Sequence, residues 1–180
     1  MDIGRVIWIT GLSGAGKSSL AGELAVRLSI RGVAVVKLDG DELREVFGAP
    51  FAAHAESFNR EGRLTLAMQY ARLCKVIASQ GLTVVIATIS LFRDVHTWNR
   101  NNLPGYFEVY LRVPMEELRR RDPKGIYRRF DSGELTGVAG LDVSVDEPLA
   151  PDWVAEFAPG RTVGELSEQL LNRLFQKTPA

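Results

Sequence analysis

Two short stretches carry residue types that can do chemistry together. Gly11-Leu-Ser-Gly-Ala-Gly16-Lys17-Ser18 has the spacing in which glycines let a loop fold so that successive backbone N–H groups face phosphate oxygens. In such a loop Lys17 reaches the β- and γ-phosphates and the Ser18 hydroxyl ligates Mg²⁺. Gly11, Ser13, Gly14, Ala15, Gly16 and Ser19 complete the cradle. Asp39-Gly40-Asp41 supplies two carboxylates further along. One can accept the proton of an attacking hydroxyl while the other organises Mg²⁺ through water, and Asp41 can equally do no more than cap a following helix. Arg44 shares a face with Asp41 if that segment is helical, where it can meet an anionic substrate. The chemistry expected is phosphoryl transfer with ATP and Mg²⁺ as cofactors, and the catalytic candidates are Lys17, Asp39 and Asp41.

These residues need a scaffold that delivers them to one edge. Arg5–Thr10 is a β-branched and aromatic run ending in the glycine loop, which predicts a buried strand. From Lys17, apolar Leu20, Leu24 and Leu28 recur at helical spacing up to Gly32. Strand, glycine loop and helix follow in the order a phosphate loop requires. Val33–Leu38 predicts a second strand, leaving Asp39 at its carboxyl end, where open α/β sheets bind ligands. Glu42–Val46 is helix-like, Gly62–Ser79 predicts a helix, and Leu82–Ile89, Phe107–Val113 and Trp153–Phe157 predict strands. Pro114–Arg121 opens a helix, and Thr162-Val-Gly-Glu165 has capping-box spacing before a last helix to about Gln176. Strands alternating with helices indicate a mostly parallel sheet covered on both faces, an α/β three-layer architecture in a single domain over residues 1–180.

Arg119, Arg120, Arg121, Lys124, Arg128 and Arg129, followed by Gly133, Gly137 and Gly140, look like a mobile basic lid over about 117–140. Such a run is ordinarily a solvated helix face, but beside a phosphotransfer loop its guanidinium groups can stabilise charge on the transferring phosphoryl. Trp8 and Cys74 read as core residues, and His54 and His96, without partners at ligand spacing, as loop or surface residues.

Composition narrows the partners. Lys plus Arg and Asp plus Glu number 22 each, so the net charge is zero, which argues against broad binding to nucleic acid or acidic membranes. One cysteine and two histidines exclude an internal disulfide and a Cys/His zinc site. No membrane span or signal peptide is evident, so a cytoplasmic protein acting on a small molecule is expected.

The chain resembles the adenylylsulfate kinases over nearly its whole length. The motifs that carry the likeness are Gly-Leu-Ser-Gly-Ala-Gly-Lys-Ser at 11–18, Leu-Asp-Gly-Asp-Glu-Leu-Arg at 38–44, Ile-Ser-Leu-Phe-Arg at 89–93, Arg-Asp-Pro-Lys-Gly-Ile-Tyr at 121–127, and Gly-Leu-Asp at 140–142. The resemblance implies a P-loop kinase fold with a central parallel five-stranded sheet, commonly a homodimer, that phosphorylates the 3′-hydroxyl of adenosine 5′-phosphosulfate with MgATP. It implies base and magnesium-organising roles for Asp39 and Asp41 and contact of Arg44 and Arg60 with the acceptor's phosphosulfate. By the same likeness, Ile89, Ser90 and Leu91 border the acceptor, and Lys124 in the lid helps close over both nucleotides.

Departures fall at the acceptor. Where the family places two rings that sandwich adenine, this chain has Ala55 and Val138, with Phe58 one helical turn away; stacking can be worth about 1–3 kcal/mol per base. Gly62-Arg63 replaces a Glu-Asn pair, adding a charge near the acceptor, and Leu91 replaces a proline. The stretch from Trp98 to Phe107 is more similar to kinases of surface-polysaccharide pathways, including those acting on cytidine diphosphoramidate. The rival readings are transfer to that nucleotide, a kinase for a small non-nucleotide metabolite, and a silent nucleotide-binding module.

Overall fold

Successive residues of a strand point to opposite faces of a sheet, and in β1 (Val6–Thr10) both faces are apolar: Ile7 and Ile9 enter one core, Val6 and Trp8 the other. A strand of this kind must be covered on both sides. In the computed structural model, which describes residues 4–48 and 59–175, it lies at the centre of an all-parallel sheet. The neighbours are β2 (Val35–Asp39), β3 (Thr83–Ala87), β4 (Phe107–Arg112) and β5 (Trp153–Glu156), in the order β2-β3-β1-β4-β5. Register is continuous across the middle, with Ile7 opposite both Val85 and Phe107.

One face is covered by α1 (Lys17–Ile30), whose Leu20, Leu24 and Leu28 meet Leu170 and Leu171 of α7 (Val163–Phe175) over Ile7, Ile9 and Val109. The predicted capping box starts α7: the Thr162 N–H donates to Glu165 Oε2 at 2.8 Å and the Glu165 N–H to Thr162 Oγ1 at 3.2 Å. Such a cap contributes about 1 kcal/mol. On the other face α2 (Gly40–Gly48) contributes Leu43, and α3 (Arg60–Ala78) lays Ala67, Ala71, Cys74 and Ala78 against Trp8 and Ile86. Small side chains at this spacing leave room for Trp8, which is wholly buried, as predicted. Cys74 is also inaccessible, and burial pushes its thiol up to about 12. No helix among the described residues is long and apolar enough to cross a membrane.

Three expectations need correction. Arg93–Asn102 forms a helix, α4, that the periodicity did not show, because its buried face is Val95, His96 and Asn99 rather than an apolar stripe. His96 is therefore not a loop or surface residue; it is 8% exposed. The helix expected to open at Pro114 is present as α5 (Met115–Arg121), and a second short helix, α6 (Ile126–Asp131), follows it; buried Leu118 and Tyr127 anchor the two. Finally, α2 begins at Gly40, so Asp39 rather than Asp41 serves as its cap, accepting from the Asp41 N–H at 2.9 Å. His54, Ala55 and Phe58 lie outside the described residues.

Candidate active site

β1 ends between β3 and β4, where the connections diverge to either side and a doubly wound sheet leaves a crevice. The loop that follows turns sharply: Gly14 has φ 76° and Gly16 φ 98°, a left-handed region that side chains rarely enter. Gly16 caps α1 with no side-chain acceptor, and the first turn holds no acid. The opening amides and the positive end of the helix thus remain available to an anion.

A cavity of about 920 Å³ opens over this loop, lined on one side by Ser13, Gly14, Gly16, Lys17, Ser18 and Ser19. Gly11 and Ala15 shape the loop from beneath: Ala15 packs into the core, and a Cβ on Gly11 would stand 2.8 Å from the Leu111 carbonyl. Lys17 Nζ donates to the Leu12 carbonyl at 2.8 Å. Burial pushes the Lys17 ammonium down to about 8, against the opposing pull of Asp41 and Asp39.

The two carboxylates take separate stations. Asp39, 9% exposed, accepts from the Ser18 hydroxyl at 2.5 Å and from the Asp41 N–H. Two hard oxygen donors at the phosphate side fit Mg²⁺, which retains water and phosphate ligands and needs few protein groups. Asp41 is half-exposed in the cavity and ion-paired with Lys124. Partial burial raises its pKa, but Lys124, Arg44 and Lys17 outweigh that and hold it below the ordinary carboxylate range.

Across the cavity stand Arg44, Arg63, Ile89, Ser90, Leu91 and Val138, all predicted to meet substrate. The Arg63 guanidinium donates to the Gly137 carbonyl, tying α3 to the end of the lid; burial and Arg44 lower its pKa. Val138 is fixed by its N–H donating to Asp142 Oδ1 at 2.5 Å. Ile89 is held through its carbonyl by the Thr10 hydroxyl, Ser90 by Thr88 at 2.7 Å, and Leu91 through its carbonyl by the Asp146 N–H at 2.9 Å. Arg60 does not line the cavity: it pairs with Asp146 at 2.6 Å and lies over the Phe92 ring.

Of the basic run, Arg121 and Lys124 line the cavity, whereas Arg119 pairs with Asp131, Arg120 with Glu117, and Arg129 with Glu134. Arg120 and Arg121 hold Glu117 down at about 2. Tyr127, given no role of its own in the sequence reading, donates its hydroxyl to the Ser13 carbonyl at 2.8 Å and so ties the basic segment to the phosphate loop. Its signal in the sequence was its place at the end of the Arg-Asp-Pro-Lys-Gly-Ile-Tyr motif at 121–127. The arrangement can hold a polyphosphate against α1 and keep a second anionic molecule facing Asp41.

The sequence matches the family described as adenylylsulphate kinase over residues 3–156. It is 34% identical over 169 residues to the cytidine diphosphoramidate kinase of Campylobacter jejuni, covering 94% of this chain and 95% of that one. To the adenylyl-sulfate kinase of Aeromonas salmonicida it is 36% identical over 177 residues, covering 95% and 85%. Among solved structures it superposes on the APS kinase of Mycobacterium tuberculosis, in complex with AMPPNP and APS, with a TM-score of 0.85 and 29% identity over 97% of this chain and 99% of that one.

Proposed function

The chain belongs to the adenylylsulphate kinase family, and from that premise we propose that it transfers the γ-phosphoryl group of MgATP to the ribose 3′-hydroxyl of adenosine 5′-phosphosulfate. The products are 3′-phosphoadenosine 5′-phosphosulfate and ADP. The observation that carries this reading is the division of labour between two carboxylates on one cavity, Asp39 with Ser18 at 2.5 Å and Asp41 with the lid's Lys124. The loop amides and Lys17 bind the triphosphate, and Ser18 with Asp39 would hold Mg²⁺. When bound, the ion neutralises charge on the β- and γ-phosphoryl oxygens. Asp41 orients the 3′-hydroxyl in line and takes its proton as the new O–P bond forms; the bond to the leaving oxygen breaks and ADP keeps that electron pair. A loose transition state draws the proton off late, so an ionised, weakly basic carboxylate suffices. Arg44 and Arg63 meet the acceptor's anionic end, and closure under Lys124 excludes water. A homodimer belongs to the same reading and is checked by sedimentation of the purified chain.

A second acceptor, cytidine diphosphoramidate, is favoured by one observation. The described lining at the acceptor side includes aliphatic Leu66, Val138, Val143 and Val145, and the rings there, Tyr70 and Phe92, are only 3% and 6% exposed. Neither offers a free face to a purine, and a smaller base depends less on stacking.

ADP release with MgATP and each acceptor, or none, tests both readings, with products weighed for a new 3′-phosphate. Preference for adenosine 5′-phosphosulfate supports the first. Preference for the cytidine nucleotide replaces it with the second, and ADP production with neither but with a non-nucleotide alcohol defeats both.

A further inference from the structure

Outside the phosphate loop and the basic segment, a buried polar cluster joins α4 to the start of β4. Glu108 is 3% exposed on β4 and His96 8% exposed on α4. Neither lines the cavity. Glu108 accepts from the Tyr106 hydroxyl at 3.1 Å and lies 3.6 Å from Arg100, while His96 Nε2 stands 3.8 Å from Glu108 Oε1 and 3.1 Å from the Ser90 carbonyl. The Ser90 carbonyl, the group within hydrogen-bond distance of Nε2, can only accept whatever the charge on Glu108, so Nε2 carries the proton and donates.

Ser90 is where that donation matters. It is one of two non-glycine residues with positive φ among those described, at 31°, a conformation that persists only where its surroundings impose it. Its hydroxyl meets Thr88, and its carbonyl accepts from the Phe92 N–H at 3.0 Å and from His96. The first two contacts are local to the turn; of the contacts to Ser90 itself, His96 is the one that comes from α4, while Thr10 and Asp146 hold the flanking Ile89 and Leu91 carbonyls. The turn sets how Ser90, Leu91 and Phe92 line the cavity.

We propose that His96 is a positioning residue for the acceptor site: its Nε2–H holds the Ser90 carbonyl, and with it the left-handed turn that presents Ser90 and Leu91 to the acceptor. The acceptor role rests on the reaction proposed above; the hold on the turn does not. Burial lowers the His96 pKa and raises that of Glu108 to about 7, in keeping with a neutral imidazole that works as a fixed donor.

His96→Ala and His96→Gln separate this role from general support of the fold, since a glutamine amide can reach where Nε2 stands. Amide exchange is followed at Phe92, whose N–H closes the turn, with the Ala15 N–H, bonded to the Leu12 carbonyl at 3.2 Å in the phosphate loop, as reference. Kinetics are run below each variant's unfolding temperature. His96→Ala should exchange faster at Phe92 but not at Ala15, and should raise the acceptor KM about tenfold with the ATP KM unchanged; His96→Gln should recover most of that loss. Unchanged exchange at Phe92 overturns the inference whatever the acceptor. So does an acceptor KM within about twofold of the unaltered enzyme, or an ATP KM that rises in parallel. If the unaltered protein turns over no acceptor, the proposed reaction fails and the acceptor role with it, while exchange still decides whether His96 holds the turn.

Discussion

Lys17 rests its ammonium on a carbonyl of its own loop, and burial has already drawn its pKa down to about 8. A triphosphate restores the charged form, which fixes a sign. Above the free-state pKa the unbound lysine is largely neutral, so ATP binding at about pH 9 takes up a proton that binding at about pH 6.5 does not. Calorimetry in buffers of differing ionisation enthalpy reads this directly; equal uptake at both pH values would remove Lys17 from the phosphate contacts. The carboxylates separate in the same way. Asp41→Asn should lower kcat by about 10²–10⁴ with the Mg²⁺ requirement unchanged. Asp39→Asn, losing the partner of Ser18, should raise the Mg²⁺ concentration needed for half-maximal rate. The opposite pattern would exchange their roles. Both aspartates were legible in the sequence, but their division was not, because it depends on Ser18 and Lys124 reaching them from other elements.

At the scale of elements, strand, loop and helix at 5–32 were readable because every signal is local: a β-branched run, glycines, then leucines at helical spacing. The helix α4 was not, since its inward face spends two of three buried positions on His96 and Asn99, which periodicity counts as polar. The basic segment was legible as a charged run, but its tie to the phosphate loop was not. Tyr127 is 1% exposed, and its hydroxyl crosses to the Ser13 carbonyl at 2.8 Å. Tyr127→Phe keeps the ring and deletes that bond. The expected result is acceptor-independent ATP hydrolysis raised several-fold, to about tenfold, with the unfolding temperature little changed. ADP release without acceptor measures it, and an unaltered rate would mean that packing alone closes the lid.

Across the whole molecule, the sheet separates two jobs. Its carboxyl edge carries the reacting loops, while its interior carries the Glu108 cluster, whose burial costs stability in a pH-dependent way. Burial holds the Glu108 carboxyl at about 7 against an ordinary 4.5. Between those values the unfolded chain releases its proton while the folded chain keeps it, so this contribution is fully present below the unfolded value and is lost as pH rises through the folded one. Glu108→Gln should flatten the dependence of unfolding free energy on pH in that interval by roughly 3 kcal/mol, as read by urea denaturation. A slope identical to that of the unaltered protein would mean that Arg100 keeps Glu108 ionised throughout.

The same interior conceals Cys74, the chain's one cysteine, with no accessible surface and a thiol pushed up to about 12. Maleimide dyes need an exposed thiolate, so the native protein is silent to them. A cysteine introduced at exposed Glu134 would take a fluorophore alone, and a second at exposed Glu42 would complete a donor–acceptor pair with no background to remove. The closure proposed for the basic segment could then be watched one molecule at a time.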